Sequence, residues 1–550
     1  MLTVFPGREA GSYGYPPSNN YPNTQWELID YPFLTAEYGG GAGVMYRRRV
    51  VLSLPDDVAA TIPVQLGSGV NLYGYYMFHG TTNPRGKTET LQESTATGGY
   101  NDLPIFEYDY EAPIGQYGEQ RVTLNRIKLY HYWLNGFGDQ LAGMSMRQPE
   151  VTAENSTDLS SLRWSVRSNG ESGYLFLNNY VRQYSMKTHT DIQFAVKFTS
   201  GTVTFPSEPI TIPDGAYFVW PLNLSLGRAS LISATAQLMT SLNISGRTIY
   251  IFVATDDIPV EFAFDSTTVS KVKAVAGITN NEESDRILVK SIIPDLDLAI
   301  YLTDKGGDEI GIIVLNQTTA DNLWELVLGG QKTLILTEQA LSPSSDGFQL
   351  TNPGSPDFSF ATFPAIDCSV TTREITGATE LLLKGTPKGL FTVFESRTKS
   401  KNILVTTQPF QAPGIAPPIL KGGQAGGALE PNQTAIVAAQ GLWTISIPWS
   451  QVADVDDAWL MIDYEGDLAR LYAGNLLLDD NFYDGTTWVV GLKRFASTTA
   501  SDDLTIAIMP LRSDAPIYLQ AMPQYDSNGQ ACSIINVNIS TVYHLNVKTE

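Results

Sequence analysis

The sequence predicts a mainly β, multidomain chain that opens with a short stretch of parallel α/β structure. Three observations predict it. The 550 residues exceed what one hydrophobic core supports, and about 150 residues per domain implies three or four units. From about residue 150 onward, short runs alternate apolar and polar positions between turn residues, which is the period of half-buried strands. Before that point, strand-like and helix-like runs alternate. Hydrophobic residues make up 43% and charged residues only 17%, so the chain is well cored rather than disordered.

Along the chain, residues 1–30 read as a Gly/Pro/Tyr/Asn-rich loop. Residues 31–37 form an apolar strand run that stops at Gly39, Gly40 and Gly41. A helix is predicted over 56–66: Asp56 or Asp57 caps it, Val58, Ile62 and Leu66 share one face, and Gly67 stops it. Residues 70–78 read as a buried strand that meets a loop signal at His79-Gly80. A second helix is predicted over 119–141, where Ile127, Tyr130, Leu134, Phe137 and Leu141 recur at three- and four-residue steps. Strand, helix, strand, helix is the signature of a parallel sheet or barrel. Two parallel strands can neither bury both faces nor close, so something must complete them.

The β region begins with a hairpin: 191–198 alternates, turns at Ser200-Gly201, and resumes at Val203 and Phe205. Strands follow at 248–253 and 260–264 around the turn Asp256 to Pro259, and the pattern continues to about residue 410. A Pro/Gly stretch follows as a linker, and the last 120 residues or so form another all-β unit. The predicted domains are 1–145 (α/β), 146–270 (β-sandwich), 271–411 (β-rich), 412–430 (linker) and 431–550 (β).

The net charge is −22, which repels phosphate backbones and anionic lipid, so neither nucleic acid nor a membrane surface is an expected partner. No apolar run reaches the ~18 residues of a membrane span, and the start lacks the pattern of a secretory signal. The 27 Tyr and 9 Trp suit sugar rings, which need a flat apolar face with a polar edge, but β-sandwich cores also use many aromatics, and composition alone favours that reading. Cys368 and Cys532 have no CxxC spacing and no nearby histidine, so no metal and no cofactor is expected; one long-range disulfide and two buried thiols are both open readings. Sequons at Asn155, Asn223, Asn243, Asn316, Asn432 and Asn538 permit glycosylation in a secreting eukaryote. No nucleophile elbow, P-loop or dinucleotide fingerprint occurs.

Glu37 is the acidic residue that stands out. At the C-terminal end of a barrel strand a carboxylate faces the active-site mouth; otherwise it is an ordinary strand-end Glu in solvent. Three segments, at 31–41 (YPFLTAEYGGG), 72–83 (LYGYYMFHGTTN) and 108–119 (YDYEAPIGQYGE), resemble family-35 β-galactosidases in order and spacing. They are similar to that family's nucleophile strand, its eighth-strand motif YMFHGGTN and its YDYDAPxxExGE segment. Segments at 173–179, 216–222, 463–467 and 481–485 resemble its β domains and jelly-roll module. The resemblance implies the later part of a (β/α)8 TIM barrel followed by β-sandwich and jelly-roll domains.

It also implies retaining hydrolysis of terminal non-reducing β-D-galactosides in an oligo- or polysaccharide, with Glu37 as nucleophile. In such enzymes a second carboxyl group ~5–5.5 Å away protonates the leaving oxygen. The resemblance implies that one of Tyr108 and Tyr110 lines the sugar pocket, Tyr110 being favoured and Tyr108 alternatively a packed barrel tyrosine; Tyr46 and the arginines 47–49, close behind Glu37, either supply donors to it or are surface groups without a role; His79 and Asn83 orient the pocket, unless His79 is a structural histidine satisfied by backbone. Tyr13, Tyr15 and Tyr21 are expected at the mouth. The family's acid/base Glu precedes the nucleophile by far more than the 36 residues available here. Glu9 and Glu27 sit in loop sequence, and the pair Asn281-Glu282 comes in the wrong order and reads as a surface turn. The expectation is therefore a fragment without the acid/base or about six barrel strands. A missing N-terminal barrel segment is then an implied partner, and the parent protein is secreted, periplasmic or lysosome-like. A non-catalytic carbohydrate-binding or scaffold protein built from β domains is the alternative.

Overall fold

In a computed structural model, residues 32–549 are described apart from 53, 89, 154, 156, 276–278, 283–285, 373–380, 425 and 500–502. Glu9, Tyr13, Tyr15, Tyr21 and Glu27 lie outside the described residues. The chain is mainly β, and the N-terminal part contains the two predicted strands. Strand β1 (Phe33–Tyr38) runs parallel to β2 (Val70–Tyr75), with Leu34 opposite Leu72 and Tyr38 opposite Tyr75.

The predicted 56–66 helix is two pieces, α1 (Asp56–Ala59) and α2 (Thr61–Gly67). Pro63 explains the break: it cannot donate to the carbonyl of Ala59, and its ring crowds that carbonyl. Val58, Ile62 and Leu66 are buried as expected. The two aspartates do not cap. Asp56 pairs with Arg126 and accepts from Tyr217, while Asp57 pairs with Arg182 and accepts from Tyr180. Gly67 is a close-approach position, since a Cβ there would lie 2.7 Å from Ser165 Oγ and 2.8 Å from Phe176 Cβ. Helix α3 (Val122–Ala142) buries Ile127, Tyr130, Trp133 and Leu141.

That helix packs on no core of its own. One cluster joins Val58, Ile62, Ile127 and Trp133 to Tyr174, Phe176, Phe252, Phe262 and Ile312 of the β region. The predicted boundaries therefore fall inside shared structure. An antiparallel eight-stranded sheet runs from Ser145–Arg147 through Arg163–Ser168, Gly173–Asn178, Tyr217–Leu226, Ala229–Ala234, Glu261–Asp265 and Arg286–Lys290 to Thr279–Glu282. A five-stranded sheet orders Ala236–Ile244, Arg247–Ala254, Glu309–Leu315, Leu298–Asp304 and Val269–Ala274, with its second and third strands parallel. Both sheets contain strands on either side of residue 270. The Asn281-Glu282 pair lies in an edge strand rather than a turn.

The predicted hairpin forms, His189–Phe198 against Gly201–Ile212. Towards the C-terminus, the strand Ser533–Thr549 pairs with Gly347–Pro353, Cys368–Thr371 and Asp457–Glu465, so residues before 411 and after 431 share one strand. The stretch 412–430 is packed rather than a free linker: Lys421–Gly422 pairs with Gly427–Ala428, Ala428 is buried, and a Cβ on Gly427 would meet the Arg47 side chain.

Cys368 and Cys532 are unpaired thiols. Two sequon asparagines, Asn316 and Asn432, cap short helices through their side chains. Among the described residues no helix is long and apolar enough to cross a membrane, and no cluster of His, Cys, Asp and Glu is suited to a metal.

Candidate functional site

Because β1 and β2 are parallel, their C-terminal ends lie on the same side, and the chain leaves both there. Glu37 is the penultimate residue of β1 and is exposed. The amide of Tyr76, just past β2, donates to the carbonyl of Tyr38 at 2.8 Å. Tyr76 is thus held beside the end of β1, and the Glu37 charge contributes to its surroundings. The Tyr76 hydroxyl bonds to that of Tyr108, and this bond, ahead of burial and nearby charge that includes Glu37, raises the Tyr76 pKa.

Tyr110 completes the group. Its ring lies 4.6 Å from that of Tyr108 and edge-on to Tyr76 at 5.5 Å. Burial, then its bond to Tyr110, pushes Tyr108 up to about 12, so all three phenols are neutral donors at physiological pH. Three hydroxyl-bearing rings, the first of them within reach of the Glu37 charge, present apolar faces and O–H groups together.

The glycines after Glu37 allow this arrangement. A Cβ on Gly41 would collide with the Tyr110 carbonyl, one on Gly40 with the Met77 carbonyl, and one on Gly43 would sit 2.6 Å from the Tyr110 ring. Tyr110 and Glu111 both occupy left-handed backbone, φ 56° and 46°, which strains non-glycine residues. Asp109 holds that turn: it accepts from the amides of Glu111 (3.1 Å) and Gln116 (2.6 Å) and pairs with Arg121 at 2.7 Å.

The other expected site residues are placed differently. Tyr46 is fully buried and its hydroxyl donates to Asp467 at 2.6 Å, so it serves the contact with the C-terminal module. Arg49 likewise binds Asp467, and Arg47 binds Asn101 at 2.9 Å. The His79 Nδ1 is engaged by the Gly80 carbonyl, the backbone-satisfied alternative. Asn83 clamps a loop, donating from its side-chain amide to the Ile105 carbonyl (3.1 Å) and from its backbone amide to the Phe106 carbonyl (2.8 Å). Sequence reasoning passed over Tyr76 and Asp109, although both lie inside the quoted motifs.

With this geometry in hand, comparison with known proteins adds little. No family model matches the chain, and no curated protein matches it. Among solved structures, the chain is similar to a rhamnosidase from Novosphingobium sp. PP1Y at a TM-score of 0.16 and 9% identity, over 47% of this chain and 35% of that one. It is similar to a GH31 alpha-xylosidase from Xanthomonas citri at a TM-score of 0.10 and 9% identity, over 74% and 38%. The chain spans little more than a third of the length of either. At those scores neither likeness assigns a fold or an activity.

Two carboxyls with raised pKa values adjoin the tyrosine segment, Glu111 half-buried within it and Asp479 buried against Tyr117. Burial, opposed in part by the Leu52 amide, raises Glu111 to about 8, and burial, against the Tyr117 hydroxyl, raises Asp479 to about 7. Both groups have unfolded values near 4. The folded chain then holds extra protons between about pH 4 and 8, so folding stability should fall as pH rises through that window. Melting temperatures recorded from pH 5 to 8 should decline, and Glu111→Gln should flatten the decline. A melting temperature that climbs steadily over this range would contradict the assignment.

Proposed function

We propose that this chain carries the nucleophile side of a retaining β-galactosidase site, in a partial (β/α)8 barrel backed by β-sandwich and jelly-roll modules. One observation carries the reading: Tyr76, within reach of the Glu37 charge near the end of a parallel strand, gathers the rings of Tyr108 and Tyr110 against it. Glu37 is the attacking carboxylate, and Tyr110 with Tyr108 forms the sugar wall. The two-stranded parallel sheet supports the incomplete barrel, because Leu34 and Leu72, opposite each other, are 58% and 53% exposed where such sheets are normally covered.

A proton donor contributes about 10²–10⁴-fold of rate in such enzymes, so turnover alone does not isolate the role of Glu37. The nucleophile can be tested separately. A 2-deoxy-2-fluoro-β-galactoside with a dinitrophenol leaving group departs without protonation, so Glu37 should become covalently labelled even without an acid/base. Peptide mass analysis should place the label on Glu37, and Glu37→Gln should lose it. Labelling elsewhere, or none at millimolar reagent, would sink the reading.

The exposure of Glu37 favours a second reading, a non-catalytic carbohydrate-binding or scaffold protein. Its mark is galactoside binding that survives Glu37→Gln and maps to the C-terminal module.

A further inference from the structure

The tyrosine-bearing segment is gripped at both ends by one strand of the C-terminal module, Leu476–Phe482. At the near end, the Asp480 carboxylate accepts from three successive amides, Ile105 (2.7 Å), Phe106 (2.7 Å) and Glu107 (3.4 Å). Tyr108 is the next residue. At the far end, Asp479 accepts from the Tyr117 hydroxyl at 2.6 Å and from Gln116 Nε2 at 3.3 Å. Gln116 also reaches Thr82, whose strand pairs with Glu107–Tyr108, and Arg494 donates to the same Thr82 hydroxyl. Tyr108 and Tyr110 hang between these two anchors.

Both aspartates are buried, at 0% and 3% exposure. A buried carboxylate demands donors, and here the donors belong to the site segment. Equally, three consecutive amides, two of them buried, demand an acceptor, and Asp480 supplies it. Neither side is satisfied without the other, so the position of the tyrosines is tied to the C-terminal module.

We propose that Asp479 and Asp480 are positioning residues of the sugar site, holding segment 105–117 so that Tyr108 and Tyr110 keep their rings against Tyr76, which lies beside the end of the Glu37 strand. This rests on reading those rings as a sugar wall. It gives the C-terminal module a role in the site itself rather than as an appended binding domain.

The test is hydrogen exchange on the full chain, followed by mass spectrometry. Asp480→Asn keeps the shape but turns an amide donor towards backbone donors. Amides 105–110 should exchange at least about tenfold faster, a loss of one charge-assisted bond. The strand Asp457–Glu465 of the same module should keep its protection. Tyr117→Phe removes one bond to Asp479 and should loosen 115–118 alone; it decides the matter if Asp480→Asn unfolds the module. Asp479 faces Tyr117, Gln116 and Glu107 from the segment and Asp480 on its own strand; Arg470 lies across from Asp480 and Arg494 stacks on Tyr117. Its ionisation near pH 7 sets like charges together. Exchange of 105–117, corrected for its chemical rate, should therefore step up across neutral pH, and Asp479→Asn should abolish the step.

Unchanged exchange in both Asp480→Asn and Tyr117→Phe would overturn the proposal. Titration with methyl β-galactoside separates the two readings. If Asp480→Asn speeds exchange but the wild-type chain binds no galactoside, the sugar assignment fails and the positioning role stands. Weaker binding by about tenfold in Asp480→Asn supports both.

Discussion

Asp467→Ala is expected to destabilise the fold by about 3–5 kcal/mol, because it strands a buried cation. Arg49 and Asp467 form an ion pair in which both side chains are fully buried. Arg49 also donates to the carbonyls of Asp467 (2.7 Å) and Tyr483 (3.1 Å), and its guanidinium lies 5.1 Å from the Tyr46 ring centre and 5.4 Å from that of Phe482. Tyr46 gives Asp467 a further bond. The substitution leaves the guanidinium without a counter-charge and the Tyr46 hydroxyl without an acceptor. The double change Arg49→Met with Asp467→Leu should cost much less, since removing both charges also removes both desolvation penalties. Denaturant unfolding of the two variants measures the difference. A single substitution no worse than the double would mean that the pair is not buried as described.

Arg167→Met should cost about 3 kcal/mol or more, through the carbonyls it orphans rather than a lost ion pair. Arg167 is 2% exposed, and its guanidinium donates to Leu66 (3.3 Å), Val70 (3.0 Å), Leu141 (2.8 Å) and Met144 (3.2 Å). Leu66 lies near the end of α2, and Leu141 and Met144 at or just past the end of α3, so one cation answers two helix C-termini, where the backbone dipole favours positive charge. Burial lowers its pKa to about 10, which still leaves it charged near neutrality. Arg167→Lys should recover only part of the loss, because an ammonium cannot fork to four separated acceptors. Thermal denaturation ranks the three proteins, and hydrogen exchange in 61–67 and 122–142 should show the release first. A lysine variant as stable as the wild type would refute the forked geometry.

The apolar spacing from Ile127 to Leu141 announced α3, and the alternation around Ser200-Gly201 announced the hairpin, because side-chain period is a local property of each element. The motif residues Glu37, Tyr108 and Tyr110 could be picked out, and the structure brings the two tyrosines together with Tyr76. Tyr46 could not be placed, because its partner Asp467 lies 421 residues away. Asp479 and Asp480 gave no signal for the same reason: their donors lie more than 360 residues upstream.

The sequence by itself determined the mainly β character, the two N-terminal strands and their helices, and the strongly acidic balance of the chain. Only the tertiary structure decided which elements share a core, where the expected domain edges dissolve into common sheets, and which buried aspartates hold the tyrosine segment. The physical reason is range. Propensity and period act over a few residues, whereas strand pairing and the satisfaction of buried charge join whatever the fold brings within about 3 Å, at any separation along the chain.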